Sequence, residues 1–369
     1  LGCTDGGDAP APGAATPPSA AETDDEPAEP IIVIPLPADV TAGTGHLHLT
    51  GDTRTTEPEV TVDHTAPDLG DEGYRLDVDA DGIRILSATE AGAFYASRTL
   101  DQLVDPGVDG SPARVPFVSI VDRPRFEWRG FMLDVSRHFF DVDTIKRQID
   151  VLSHYKINRL HLHLTDDQGW RIHIDSWPDL TAIGATIDID GDGPGGFFTR
   201  DDLADITAHA AERFITVVPE IDLPGHENAA LASYGELNAD GTPTELVGVV
   251  PFGQSALALA APGTRTFIDD VISDIAAATP GPYVHIGGDE ALSLDQDEYA
   301  ELVGLAADAV VRNDKIPIGW EETATAGLPT PSVTQYWLDP AKARQGIATG
   351  SKVIVSRANR AYLDQGYDE

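Results

Sequence analysis

Residues 123–369 predict an α/β protein of the (β/α)8 barrel class, and residues 31–122 predict a small α+β domain ahead of it. Two observations set this reading. From about residue 123 short apolar strands alternate with helical segments, the pattern of parallel strands joined by crossover helices. Polar residues then cluster just after each strand, and a barrel gathers such ends on one face. A doubly wound sheet also fits the alternation, but the clusters favour the barrel.

The elements follow in order. "YRLDVDADGIRIL" (74–86) alternates apolar and polar residues about Asp81-Gly82 and predicts a hairpin. "TEAGAFYASRTLDQLV" (89–104) spaces Ala93, Phe94, Leu100, Leu103 and Val104 as the apolar face of one helix on that sheet. In the second part, strands are predicted at "WRGFMLDV" (128–135), "INRLHLHL" (157–164), "FITVVPEI" (214–221), "PYVHIGG" (282–288), "IPIGW" (316–320), "SVTQYW" (332–337) and "KVIVS" (352–356). Helices are predicted near 142–155, 201–212, 265–278 and 297–312. The count stops at seven strands, so an eighth, with its helix, is expected to be missing from these 369 residues. The natural protein is expected to be longer.

Composition narrows the class. The formal net charge of −38 argues against nucleic acid, whose phosphates call for Lys and Arg. Only five lysines are present, a skew that resembles the acidic surfaces of salt-adapted proteins. No apolar run approaches the ~20 residues of a membrane span. The lone cysteine, Cys3, rules out an intrachain disulfide. Leu1-Gly2-Cys3 looks like the tail of a lipoprotein signal, and residues 4–30, rich in Ala, Pro, Thr and acids without Lys or Arg, read as a disordered tether. The expectation is an extracytoplasmic protein, secreted or lipid-anchored at the cell surface through Cys3, with residues 1–30 as the tether.

The strand ends carry the chemistry. Asp134 and Arg137 follow the first strand; His163, Asp166, Asp167 and Trp170 the second; Glu220, Asp222 and His226 the third. Asp289 and Glu290 follow the fourth, Trp320 the fifth, Trp337 the sixth, and Tyr362 and Asp364 the seventh. Singly each has an ordinary use: a core histidine, a salt-bridged arginine, a packed indole, a surface acid pair. Their shared position after successive strands points instead to a sugar pocket, where carboxylates bond hydroxyls and move protons and indoles stack on a pyranose. In glycoside hydrolysis two carboxylates ordinarily flank the scissile bond about 5–9.5 Å apart. Asp289 and Glu290 are adjacent, and only the turn allowed by Gly287-Gly288 lets both reach one pocket. That suits a substrate which supplies its own nucleophile. Two other readings stay open. His161 and His163 lie on one strand face with Asp166 nearby, as in a metal-dependent barrel hydrolase, and the pocket could belong to a non-catalytic sugar-binding protein.

The runs "RGFMLDVSRHFF" (129–140), "NRLHLHLTDDQGWRI" (158–172), "VVPEIDLPGH" (217–226) and "HIGGDEA" (285–291) together resemble glycoside hydrolase family 20, the β-N-acetylhexosaminidases. The likeness covers roughly residues 31–369, small domain included. It implies exo-acting removal of terminal non-reducing β-linked GlcNAc or GalNAc from chitooligosaccharides or glycans, by substrate-assisted retaining catalysis through an oxazolinium intermediate. By matching position, Glu290 would be the general acid and base and Asp289 would orient the acetamido group. Arg137 and Asp364 would bind sugar hydroxyls, Trp320 and Trp337 would wall the acetamide, and Tyr362 would bond its carbonyl. Asp166, Asp222 and His226 would form a supporting network. No metal or cofactor is implied. Family members complete the pocket with an eighth strand carrying a Trp and an acid, which is expected to lie beyond these 369 residues.

Overall fold

The computed structural model describes residues 30–49, 58–65, 68–107, 111–191, 193–251 and 253–364, so Cys3 and nearly all of the expected tether lie outside them. Contacts divide the chain into Leu1–Arg125 and Phe126–Glu369, close to the change of rhythm in the sequence.

The first unit holds β1 (Asp39–His48), β2 (Glu59–Val62), β3 (Tyr74–Asp79), β4 (Gly82–Ser87), α1 (Glu90–Leu103) and β5 (Arg114–Asp122). The sheet order is β1-β5-β3-β4-β2. β3 and β4 form the predicted hairpin, with Asp79 opposite Gly82 and Gly82 in the left-handed region at φ 137°. Thr89 caps α1 by accepting from Gly92 N at 3.2 Å. Leu100 and Leu103 of the predicted face are buried together with Tyr95, Ala96 and Thr99, and Ala93, Phe94 and Val104 pack against the same core while partly exposed.

The second unit runs β6 (Gly130–Asp134), α2 (Val142–His154), β7 (Arg159–His163), a short hairpin of β8 (Thr165–Asp166) and β9 (Gly169–Trp170), α3 (Asp179–Ala182), α4 (Arg200–Ala211) and β10 (Thr216–Glu220). It continues with α5 (Asn228–Ser233), α6 (Thr264–Ala278), β11 (Tyr283–His285), α7 (Gln296–Arg312), β12 (Ile316–Trp320), β13 (Val333–Tyr336), α8 (Pro340–Ala348), β14 (Lys352–Val355) and α9 (Ala358–Ala361). Seven strands pair in the order β6-β7-β10-β11-β12-β13-β14, all parallel. That is chain order without reversal. A doubly wound sheet would switch direction part-way, so the barrel reading holds and the alternative falls. Among the described residues the sheet ends at β6 on one side and β14 on the other.

β7 shows how the sequence aims the site. Leu160, Leu162 and Leu164 join the apolar cluster of Ile145, Ile149, Leu203 and Ile206 from α2 and α4. Period-two alternation then leaves His161 and His163 on the opposite face. Part of the acidic excess serves locally. Asp141 caps α2, Asp295 caps α7, Asp339 caps α8, and Thr199 with Asp202 forms a capping box on α4.

Candidate active site

Strand register sets the level of the site. Asp134, His163, Glu220 and His285 are successive partners across β6, β7, β10 and β11. Glu220 is the hub and is fully buried. Its Oε2 accepts from His161 Nε2 at 2.8 Å and from His163 Nδ1 at 2.6 Å, and its Oε1 accepts from Trp320 Nε1 at 2.9 Å. Burial alone would raise this carboxyl, but the surrounding imidazoles of His163, His285 and His161 hold it well below the usual carboxylate range. His285 stacks on His161 with ring centroids 4.5 Å apart and accepts from Gly287 N at 3.0 Å. Burial pushes its pKa down to about 4, so it is neutral at pH 7.

From the hub the network runs outward. His163 Nε2 donates to Asp166 Oδ2 at 2.9 Å, and Arg137 Nη2 pairs with the same oxygen at 2.6 Å. Arg137 Nη1 reaches Asp134 Oδ2 at 2.8 Å. Asp166 Oδ1 lies 3.2 Å from His226 Nδ1. Burial would raise Asp166, yet the Arg137 guanidinium and the bonds from His163 and His226 hold it far below its ordinary value. His226 sits at a left-handed φ of 58°, uncommon for a non-glycine residue. Its Nε2 lies 3.5 Å from Glu290 Oε2 and 3.6 Å from Asp289 Oδ2. Burial opposes its charge, but Asp166 and Glu290 keep the imidazolium well above its ordinary pKa.

The acid pair depends on the turn before it. β11 stops at His285, three residues short of the predicted strand, because Gly287 (φ 65°) and Gly288 (φ 98°) turn the chain. A Cβ on Gly287 would meet Asp222 Oδ1 at 1.8 Å, and one on Gly288 would meet Thr323 Cγ2 at 2.2 Å. Glu290 is itself left-handed at φ 49°. This turn brings both carboxylates to His226, with side chains 19% and 22% exposed. Burial and the charge of Glu220 push the Asp289 carboxyl up, against the pull of His226, and its Oδ1 has no hydrogen-bond partner among the described residues.

An aromatic wall stands beside the pair. Trp320 is edge-on to His285 at 5.2 Å and to Trp337 at 6.4 Å, and Trp337 stacks on Tyr362 at 6.4 Å with 15° between planes. Two acids after Trp320 anchor it. Buried Glu321 accepts from the backbone N–H groups of Trp337, Leu338 and Asp339, and Glu322 Oε2 accepts from Trp337 Nε1 at 3.3 Å.

The structure therefore brings together Arg137, Asp166, Asp222, His226, Asp289, Glu290 and Trp320, with Trp337 and Tyr362 on the wall. Asp364 is exposed, with its charge near the Tyr362 phenol. Sequence reasoning gave no role to Glu220, His285, Glu321 or Glu322. The "EE" directly after "IPIGW" was a readable signal, since it sits at a strand end like the others. Among the described residues, ligand atoms close enough for a metal occur in four overlapping sets, including His161–Glu220–His285 and His163–Glu220–Asp222. In the first two sets the His161 and His163 nitrogens already donate to Glu220, an arrangement that fits a hydrogen-bonded carboxylate.

Asp222 is the frustrated member. Its Oδ1 accepts from Gly288 N at 3.2 Å, while its Oδ2 is buried without a partner. Burial and the charge of Asp289 push its pKa well up. A carboxyl whose folded pKa is raised destabilises the fold as pH rises above its unfolded value, and costs nothing below it. Asp222→Asn is accordingly expected to raise Tm by ~2–4 °C at pH 7 and to lose that gain toward pH 4. A Tm gain constant across that range, read by calorimetry, would contradict the assignment.

A parallel barrel-type sheet with this carboxylate and indole site has the architecture of the α/β-barrel glycoside hydrolases. The chain belongs to glycosyl hydrolase family 20; the model of that family's catalytic domain matches residues 126–369, and the model of its domain 2 matches residues 53–123. It is 48% identical over 302 residues to a β-N-acetylhexosaminidase of Cellulomonas fimi, covering 81% of this chain and 60% of that one. It is 36% identical to a β-hexosaminidase of Vibrio furnissii, covering 82% and 54%. The solved structure of Streptomyces plicatus N-acetyl-β-hexosaminidase in complex with Thio-NAglucal is similar at TM-score 0.84 and 39% identity, covering 91% and 76%. The chain thus spans less than two thirds of the length of these two curated relatives.

Proposed function

We propose that the chain hydrolyses terminal non-reducing β-linked N-acetylhexosamine, exo-acting and with retention, using the substrate's acetamido oxygen as nucleophile. One observation carries this. Carboxylate oxygens of Asp289 and Glu290 converge on one atom, lying 3.6 and 3.5 Å from His226 Nε2. Carboxylates that act as nucleophile and acid across a bond stand at least ~5 Å apart, and water-activating pairs farther still. Asp289 and Glu290 thus suit two jobs on one side of the sugar.

In this reading Glu290 gives a proton to the glycosidic oxygen as that C–O bond breaks. The acetamido oxygen forms a new C–O bond to the anomeric carbon, giving a cyclic oxazolinium. Asp289 accepts the acetamido N–H and offsets the positive charge that develops. Water then attacks the anomeric carbon, Glu290 takes its proton back, and the ring opens to the retained hemiacetal. Trp320, Trp337 and Tyr362 enclose the acetamide, and Arg137 and Asp364 bind hydroxyls. The substrates proposed are chitooligosaccharides or glycans; a relative from Vibrio harveyi bears the name N,N'-diacetylchitobiase.

The test compares nitrophenyl β-GlcNAc with nitrophenyl β-glucose, chelator present. Cleavage of the GlcNAc substrate at least ~10³-fold faster is expected, because only it carries the nucleophile. Equal rates would sink substrate assistance. Loss of activity to the chelator would favour a metal-dependent hydrolase. Binding without turnover by a folded chain would favour a sugar-binding protein.

A further inference from the structure

Glu220 lies outside the pocket, with no exposed surface, and yet joins its two sides. Toward one side it accepts from the Trp320 indole, part of the acetamide wall. Toward the other it accepts from His163, whose second nitrogen donates to Asp166, which in turn holds Arg137 and His226. His226 faces both Asp289 and Glu290. Charge-assisted hydrogen bonds therefore run from the wall to His226, whose Nε2 faces the acid pair at 3.5–3.6 Å, and Glu220 is bonded to both halves.

We infer that Glu220 is a positioning residue whose negative charge holds the acetamide wall and the His226–Glu290 side in one register for the chemical step. This rests on the proposed function above. The geometry requires an acceptor on both oxygens. Three ring N–H groups converge on the carboxylate, two on Oε2 and one on Oε1, and His285 Nδ1 lies 3.2 Å from Oε1. A glutamine of the same shape offers one oxygen and one NH2. If its oxygen meets the imidazoles, its NH2 faces the Trp320 N–H; if it turns over, its NH2 faces His161 and His163. Either way a donor meets a donor in a buried place, and one half of the site must shift. A misplacement of about 1 Å can cost ~10²-fold in rate.

Glu220→Gln is expected to lower kcat on nitrophenyl β-GlcNAc by ~10²-fold while KM stays within about threefold, since the ground-state contacts of the sugar remain. Glu220→Asp keeps the charge with a shorter reach, so its kcat should fall between those of the Gln variant and the parent. A folded Gln variant with kcat within about threefold of the parent would overturn the inference. So would an Asp variant no better than Gln, because then charge is not what matters. If neither variant folds by circular dichroism, the unsubstituted chain decides. Five indole N–H signals are available, and Trp320→Phe identifies that of Trp320. Bonded to a buried carboxylate, it should lie downfield and exchange slowly with solvent. A fast-exchanging, upfield Trp320 signal would refute the link. This signal needs no turnover, so an inactive parent chain would sink the proposed function without deciding the role of Glu220.

Discussion

Glu290→Gln should lower kcat/KM on a chitooligosaccharide by ~10³-fold or more. The side chain is held beyond the double-glycine turn at a left-handed φ, with its Oε2 3.5 Å from His226 Nε2. Glutamine keeps the shape and removes the transferable proton, so the loss isolates proton transfer. The size of the loss should depend on the leaving group. A sugar alkoxide leaves only with a proton, whereas nitrophenolate leaves with little help. The deficit on nitrophenyl β-GlcNAc should therefore be smaller for bond cleavage, with the deficit shifting to the hydrolysis of the oxazolinium, where Glu290 acts as base. Added azide, a nucleophile that needs no base, should then restore turnover and give the β-azide. Activity within about tenfold of the parent on both substrates would mean that Glu290 is not the acid.

Asp289→Asn is the second large effect, about 10²–10³-fold in kcat, as expected when a group aimed at developing charge is removed. The asparagine oxygen can still accept the acetamido N–H if it turns the right way, but it no longer offsets the positive charge of the oxazolinium. KM should change little, because the neutral ground state gains less from the anion. Stability should move the other way. Burial and the charge of Glu220 raise the Asp289 pKa, with His226 opposing. The parent is thus penalised as pH rises above the unfolded carboxyl value, so the variant is the more stable at neutral pH and that gain vanishes in acid, where the parent carries no penalty. A variant with unchanged kcat would end the orienting role; a variant with lower Tm at pH 7 would contradict the electrostatic account.

These two effects were visible in the sequence because the motif is local. "HIGGDEA" contains both the turn and the pair, and the structure needs both glycines where they stand. The seven strands were legible for a similar reason: period-two apolar runs such as Leu160, Leu162 and Leu164 announce both the strand and its outer face. What the sequence concealed is non-local. Glu220 meets His163 across 57 residues and Trp320 across 100, and only the register of strands far apart in the chain makes them partners. His285 lay inside the predicted strand 282–288, and its role as acceptor from Gly287 N follows from the turn geometry. The α1 face was legible too, since its predicted residues enter or border the core, and Tyr95 and Ala96 extend it.

The central claim is that the acetamido oxygen is the nucleophile. It is tested most directly by measuring kcat/KM for nitrophenyl glycosides whose N-acetyl group carries zero, one, two or three fluorines. Fluorine withdraws electrons from the acetamido oxygen while changing the sugar little. The account predicts a steep, monotonic fall along the series, exceeding ~10²-fold by the trifluoro compound, since attack by a weakened nucleophile costs transition-state energy directly. A flat series would mean that a carboxylate or water attacks instead, and would contradict the account.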